Sequence, residues 1–358
     1  MGENMQATDF SNAVIFGQED YVGRLSAYFD KLLPQGNLQS FSFPLSTDNP
    51  SQYVFFYDAY DEELKKMNKS RKIIVAFGNA YRPEAAKHLR TLGFRDICFY
   101  DSELDNELKR DYFKQEFAER NKPFSLVCEP KTVAVYMARH VKDKILKSYP
   151  GELPSWVIPI QVGASLTKER VADVTDDIGD NISDRNRHYS EMTAFYWMWK
   201  HGTADYLGIC HYRRLWKDLD VIVKRLQEDA FDVVLPMPTV CLHSVFEDYL
   251  KKFIPDVYPV MLDVLKDMSP EYYESSREIF AGKVFYASNM LIAGREVLDS
   301  LCSWMFPMVM EIEKRVGDLP DAYDNRYAGF CTERLITLYF LSNKQNWRIG
   351  HAEKIFVE

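Results

Sequence analysis

One stretch constrains this chain more than any other. From Gln161 to Trp216 the sequence passes from an acid- and amide-rich loop, through an aromatic helix, to a short apolar strand from Tyr206 to Cys210. That strand stops abruptly at His211-Tyr212-Arg213-Arg214. Open α/β sheets bind ligands outside the carboxyl ends of their strands. A strand ending in a cationic, hydrogen-bonding tetrapeptide therefore points to an anion site. The planar fork of arginine matches phosphate oxygens. A phosphorylated ligand held by His211, Tyr212, Arg213 and Arg214 is the expectation, with two solvated surface arginines as the plain alternative.

The segments around this strand supply further polar groups. His188 to His201 has helical spacing, with Met192, Phe195, Tyr196 and Trp199 on one core-facing side. Glu191, near its start, either caps the helix or reaches a sugar hydroxyl. The preceding loop holds Asp177, Asp180, Asn181 and Asn186. These are turn formers, but carboxylates and amides at this density also suit hydroxyls that both donate and accept. A strand from Thr132 places His140 just past its carboxyl end. Tyr286 to Ala293 reads as a strand with Asn289 pointing inward. Arg326 opens a loop that becomes a helix near Cys331, with Glu333 in its first turn and Arg334 beside it. Glu333 there is either a cap or a general base.

The N-terminal part alternates strands and helices: Ala13–Gly17, Tyr21–Leu33, QSFSF, YVFFYD, Lys72–Gly78, Pro83–Leu92 and Arg95–Tyr100. This predicts a small parallel sheet with crossover helices. Asn79, Ala80 and Tyr81 follow Gly78, so the glycine fingerprint of a dinucleotide site is missing and an accessory Rossmann-like domain is expected. A charged helix from Asp101 ends at Asn121-Lys122-Pro123, giving a boundary between domains 1–123 and 124–358. Net charge is −9, which argues against a general nucleic-acid binder. The six cysteines include no C-x-x-C pair, so a metal-cluster reading is poor and reduced thiols are expected. Neither a signal peptide nor a run of about 18 apolar residues is present in the sequence, so a cytoplasmic protein without a membrane span is expected.

The run DDIGDNIS, the helix SEMTAFYWMWK, the block DYLGICHYRRLW, Asn289-Met290-Leu291 and RYAGFCTERL together resemble the DUF4422 family of bacterial capsular and exopolysaccharide biosynthesis proteins. The resemblance covers Thr132 to the C-terminus. It implies a GT-A-like glycosyltransferase domain with a mixed central sheet, using a nucleotide-sugar donor and a glycan or lipid-linked acceptor. That domain would act in the cytoplasm or peripherally at the inner membrane face. Carried onto this chain, it implies donor contacts from His140, Asp177, Asn181, Asn186, His211, Tyr212, Arg213, Arg214, Asn289, Arg326 and Arg334. Glu333, Asp180 or Glu191 would be the catalytic carboxylate. Many such enzymes place D-x-D where this chain has His211-Tyr212-Arg213, and arginine cannot ligate a cation. The preferred expectation is thus a metal-free site in which His211 and an arginine replace the ion's charge. The weaker one keeps a divalent metal on Asp177 and Asp180. The competing function is a non-catalytic transferase-like scaffold in a polysaccharide assembly complex. The N-terminal domain would serve docking or homo-oligomerisation.

Overall fold

The computed structural model describes residues 10–44, 57–113, 130–144, 153–252 and 254–357. The chain divides into two compact units, Met1–Glu116 and Phe117–Glu358. The tripeptide Asn121-Lys122-Pro123 lies outside the described residues, as do the first four residues of YVFFYD and the end of the charged helix.

The first unit contains β1 (Val14–Gln18), α1 (Glu19–Leu32), β2 (Gln39–Phe43), α2 (Asp61–Lys66), β3 (Ile73–Ala76), α3 (Arg82–Thr91), β4 (Ile97–Phe99) and α4 (Ser102–Phe113). Its four strands are parallel in the order β2-β1-β3-β4. The strand order reverses between β1 and β3, the crevice where open sheets bind cofactors. Here the Gly78 amide, which would face a phosphate, donates instead to Gln18 Oε1 at 2.7 Å. Arg82, at the start of α3, donates to the carbonyls of Phe77 and Tyr100.

The second unit opens with β5 (Val133–Arg139), β6 (Val157–Gln161), β7 (Val174–Thr175), α5 (Asn186–Tyr189), α6 (Met192–His201), β8 (Tyr206–His211), β9 (Arg214–Trp216) and α7 (Leu219–Gln227). It continues with β10 (Val233–Pro236), β11 (Thr239–Val240), α8 (Val245–Lys252), α9 (Val257–Met268), α10 (Pro270–Ala281), β12 (Val284–Phe285) and β13 (Leu291–Gly294). It closes with α11 (Arg295–Val316), α12 (Tyr327–Ser342), β14 (Ile349–Ala352) and β15 (Lys354–Phe356). The main sheet runs β14-β10-β13-β8-β5-β6-β7, and β9 and β15 extend from the end of β8. It is mixed: β8, β5, β6 and β7 are mutually parallel, whereas β13 runs antiparallel to both β8 and β10.

Successive strand side chains point to opposite faces. Tyr136 and Ala138 of β5, with Leu207 and Ile209 of β8, enter the large core made with α6, α9, α11 and α12. Val135, Met137, Tyr206 and Cys210 enter the smaller core on the other face. The same alternation carries His140 and His211 toward the helical face. β8 is buried along its whole length, as its apolar sequence requires.

Two expected elements differ. The helix read from His188 to His201 is broken at Ser190, whose φ is +50°, so α5 and α6 meet at a corner. The strand read from Tyr286 to Ala293 begins only at Leu291. Ser288 (φ 86°) and Asn289 (φ 48°) occupy left-handed backbone instead. In both places tertiary hydrogen bonds outweigh local spacing. The aromatic stripe packs inward as its spacing demands, with Met192, Phe195 and Tyr196 buried and Trp199 stacked on Phe306.

Gly208 lets β8 and β13 approach. A Cβ there would lie 2.6 Å from Ile292 Cγ1 and 3.0 Å from the Leu291 carbonyl. Gly208→Ala should cost about 1–3 kcal/mol from overpacking. Urea unfolding should show a lowered midpoint at unchanged slope, and an unshifted midpoint would mean the strands part without cost.

Candidate functional site

The carboxyl ends of β5 and β8 are adjacent, with Ala138 paired to His211. Around them come the start of α6, the segment before β13 and the first two turns of α12. Asn289 joins these pieces. Its Nδ2 donates to Glu191 Oε1 at 2.8 Å and to the Gly329 carbonyl at 3.0 Å. Its Oδ1 accepts from Thr332 Oγ1 at 3.0 Å. Asn289 is thus a satisfied buried amide, and it also places a carboxylate. Glu191 makes no side-chain cap on α6; its oxygen is turned toward Asn289.

His211 is buried, and its Nε2 donates to the Ser288 carbonyl at 2.6 Å. Burial is the main cause that lowers its pKa. Glu191 opposes this, and Arg214 adds to it. The ring is therefore neutral at pH 7 and brings no charge. This corrects the expectation that His211 replaces a metal ion's charge.

Glu333 lies in the second turn of α12, because the helix starts at Tyr327 and not near Cys331. Its Oε1 accepts from the Ser288 amide at 2.5 Å, and its Oε2 from Arg334 Nη1 at 2.9 Å. Burial raises its pKa, more than Arg334 lowers it. Its side chain keeps 16% exposure. Arg334 itself has only 1% of its side chain exposed. It packs between the rings of Tyr249 and Phe285 and donates to the Phe330 carbonyl. Arg334 is thus enclosed by protein and bonded to Glu333, where the resemblance implied a donor contact.

His140 follows β5. Its Nδ1 accepts from the Lys142 amide at 3.0 Å. Burial lowers its pKa; Asp143 opposes, while Lys142 and Arg326 reinforce the fall. Arg326 donates to Ser190 Oγ at 2.8 Å and lies against Tyr323 and Phe330. His140, Arg326, Ser190, Glu191, Asn289, Glu333 and His211 thus share one region.

The arginines after His211 run toward the terminal strand, with Arg214 still opposite His211 across the hairpin. Arg213 Nε donates to the Val357 carbonyl at 3.3 Å, and the guanidiniums of Arg213 and Arg214 both lie over Phe356. Tyr212 contacts Arg139 and accepts from the Lys144 amide. The acidic loop is largely spent on itself. Asp177 pairs with Arg170 at 3.6 Å, and Asn181 bonds Gly179 and Ser183 within one turn. Asp176 is buried and takes the amides of Gly163 and Ala164 and the hydroxyl of Ser183. Asn186 donates to the Ser190 carbonyl and to Thr193 Oγ1, holding the corner before Glu191. Asp180, 59% exposed, contacts Tyr196 and Lys200. Those residues lie roughly 7 and 13 Å along α6 from Glu191 at 1.5 Å per residue, so Asp180 stands apart from Glu191 and Glu333.

Residues at the end of β8 do not fit a divalent cation. His211 Nε2 is committed to a carbonyl, and arginine is itself cationic. Among the described residues, no group of three or more His, Cys, Asp or Glu could hold a metal ion. No described helix is long and apolar enough to cross a membrane.

Residues 134–345 match the family described as domain of unknown function DUF4422, well over half of the chain. The chain belongs to this family. The structure is also similar to a solved one, the apo form of WbbM, a bifunctional glycosyltransferase. That likeness has a TM-score of 0.56 at 21% identity and covers 63% of this chain and 45% of WbbM. The chain thus spans less than half of WbbM, and the two share a fold. No curated protein matches the sequence.

Sequence reasoning missed a second cluster beside the corner. His188 donates from Nδ1 to Glu313 at 2.8 Å and from Nε2 to Asp318 at 2.9 Å. Arg185 and the Tyr189 hydroxyl also reach Glu313, and the Tyr327 ring lies 5.3 Å away. The hydrogen bond to Glu313 is the main cause that raises the His188 pKa; burial opposes it and Asp318 assists. A raised folded pKa stabilises the protein fully below the unfolded value of about 6.5, and that stability is lost as pH rises through the folded pKa. His188→Gln should therefore lower the melting temperature more near pH 6 than near pH 9. Equal losses at both pH values would remove charge from the clamp.

Proposed function

We propose that this chain is a glycosyltransferase that moves a sugar from a nucleotide-sugar to a glycan or lipid-linked acceptor in surface polysaccharide synthesis, on the cytoplasmic side of the membrane. The observation that carries this reading is the meeting of Glu191, Asn289, Glu333 and His211 at the carboxyl ends of β5 and β8. That is where an α/β sheet presents ligands. Membership of the family and the fold shared with WbbM support it.

In this reading Glu333 is the general base. Burial raises its pKa, which strengthens it as a proton acceptor. It would accept the acceptor hydroxyl's proton as the new bond to the sugar's anomeric carbon forms. The bond from that carbon to the diphosphate breaks, and its electron pair leaves with the nucleotide. Arg334 and the Ser288 amide hold the carboxylate in place. Glu191, fixed by Asn289, and the neutral His211 would orient sugar hydroxyls. His140, Arg326 and Arg214 border the donor. The first unit serves as an accessory domain.

A thermal-shift screen against UDP-, GDP-, CMP- and dTDP-sugars, followed by transfer assays with the sugar that binds, tests this reading. Glu333→Gln should leave donor-induced stabilisation intact and slow transfer by roughly 10²–10⁴-fold, the usual weight of general base catalysis. Undiminished transfer by this variant would exclude Glu333 as the base.

A further inference from the structure

The family match ends at residue 345, yet the last strand of the chain reaches the site. β15 pairs antiparallel with β9, setting Lys354 opposite Trp216 and Phe356 opposite Arg214. From this strand Lys354 Nζ donates to Ser288 Oγ at 3.2 Å and to the Ala287 carbonyl at 3.3 Å. Ser288 is the residue whose carbonyl receives His211 and whose amide meets Glu333. The ammonium also lies within electrostatic reach of both those side chains.

We infer that Lys354 is the cation that meets the diphosphate of the donor, a role resting on the transferase reading above. Departure of the sugar leaves an electron pair on the diphosphate oxygen, and a fixed positive charge beside it lowers the barrier. The other candidates are placed less well. His211 is neutral, Arg213 is tied to Val357, Arg214 lies over Phe356 at the edge of the site, Arg334 is enclosed by aromatic rings, and Arg326 is engaged with Ser190. Of the Lys354 contacts, those to Ser288 Oγ and the Ala287 carbonyl are long hydrogen bonds to neutral oxygens. Lysine carries a compact charge with rotatable donors on a flexible stem, so it can exchange those two bonds for phosphate oxygens. Lysine is a point-charge phosphate binder elsewhere for the same reason.

The test is calorimetric titration of the full chain with UDP, GDP, CDP and dTDP, and with the matching monophosphates. Wild type is compared with Lys354→Met, Lys354→Gln and Lys354→Arg. Glutamine keeps a hydrogen bond to Ser288 without the charge, so it serves if the methionine variant fails to fold. Both neutral variants should bind the preferred diphosphate about tenfold or more weakly. They should bind its monophosphate within about twofold of wild type, while arginine retains most of the diphosphate affinity. Unchanged diphosphate affinity in the neutral variants would overturn the inference alone. So would an equal loss for monophosphate and diphosphate, which would indicate a structural role. A wild-type protein that binds none of the four diphosphates would overturn the transferase reading and this inference with it.

Discussion

The Asn289 amide is the joint on which the candidate site depends. It lies beside Ser288 in left-handed backbone, a conformation that costs roughly 1–3 kcal/mol for each such non-glycine residue. The strain persists because the groups around it are satisfied. Glu191 and Gly329 take the amide protons, Thr332 supplies the hydroxyl, and Ser288 is bonded through both its amide and its carbonyl. Through these bonds α6, α12, β8 and the approach to β13 converge within one hydrogen-bonded network. Losing any partner would leave a buried polar group unpaired, which costs more than the bond itself contributes.

Electrostatics follow from that geometry. Two carboxylates, Glu191 and Glu333, stand beside a histidine that burial keeps neutral. The region is therefore not the cationic pocket that the tetrapeptide His211-Tyr212-Arg213-Arg214 suggests. Strand alternation turns His211 to the helical face, and the two arginines follow the hairpin to Phe356. Besides Arg214, positive charge enters from separate segments: Arg326 before α12 and Lys354 from the terminal strand.

Much of this was legible in the chain itself. Period-two alternation in β5 and β8 places His140 and His211 on one face, and helical spacing identifies the buried side of α6. The helix break at Ser190 was not legible, because Ser190 has no glycine or proline signal. It is held by Asn186, four residues earlier, and by Arg326, 136 residues later. Composition does not separate Asp180 from Glu191 as a catalytic carboxylate, nor Asp177 from a donor contact. Only the direction of α6 and the ion pair to Arg170 separate them from the site. The sequence sets Arg334 beside Glu333 and the resemblance implies a donor contact, but the rings of Tyr249 and Phe285 enclose it from sequence-distant elements.

The sequence by itself determined the α/β class, the alternation of strands and helices in the N-terminal part, the family-specific blocks and the faces that must be buried. These depend on local spacing and on the burial of apolar side chains, which each segment carries within itself. The tertiary structure alone decided which polar residues meet. Glu191 and Asn289 are 98 residues apart, and Lys354 is 66 residues from Ser288. Contacts at that separation are set by strand order and by two left-handed residues. No local pattern records the partners that hold them there.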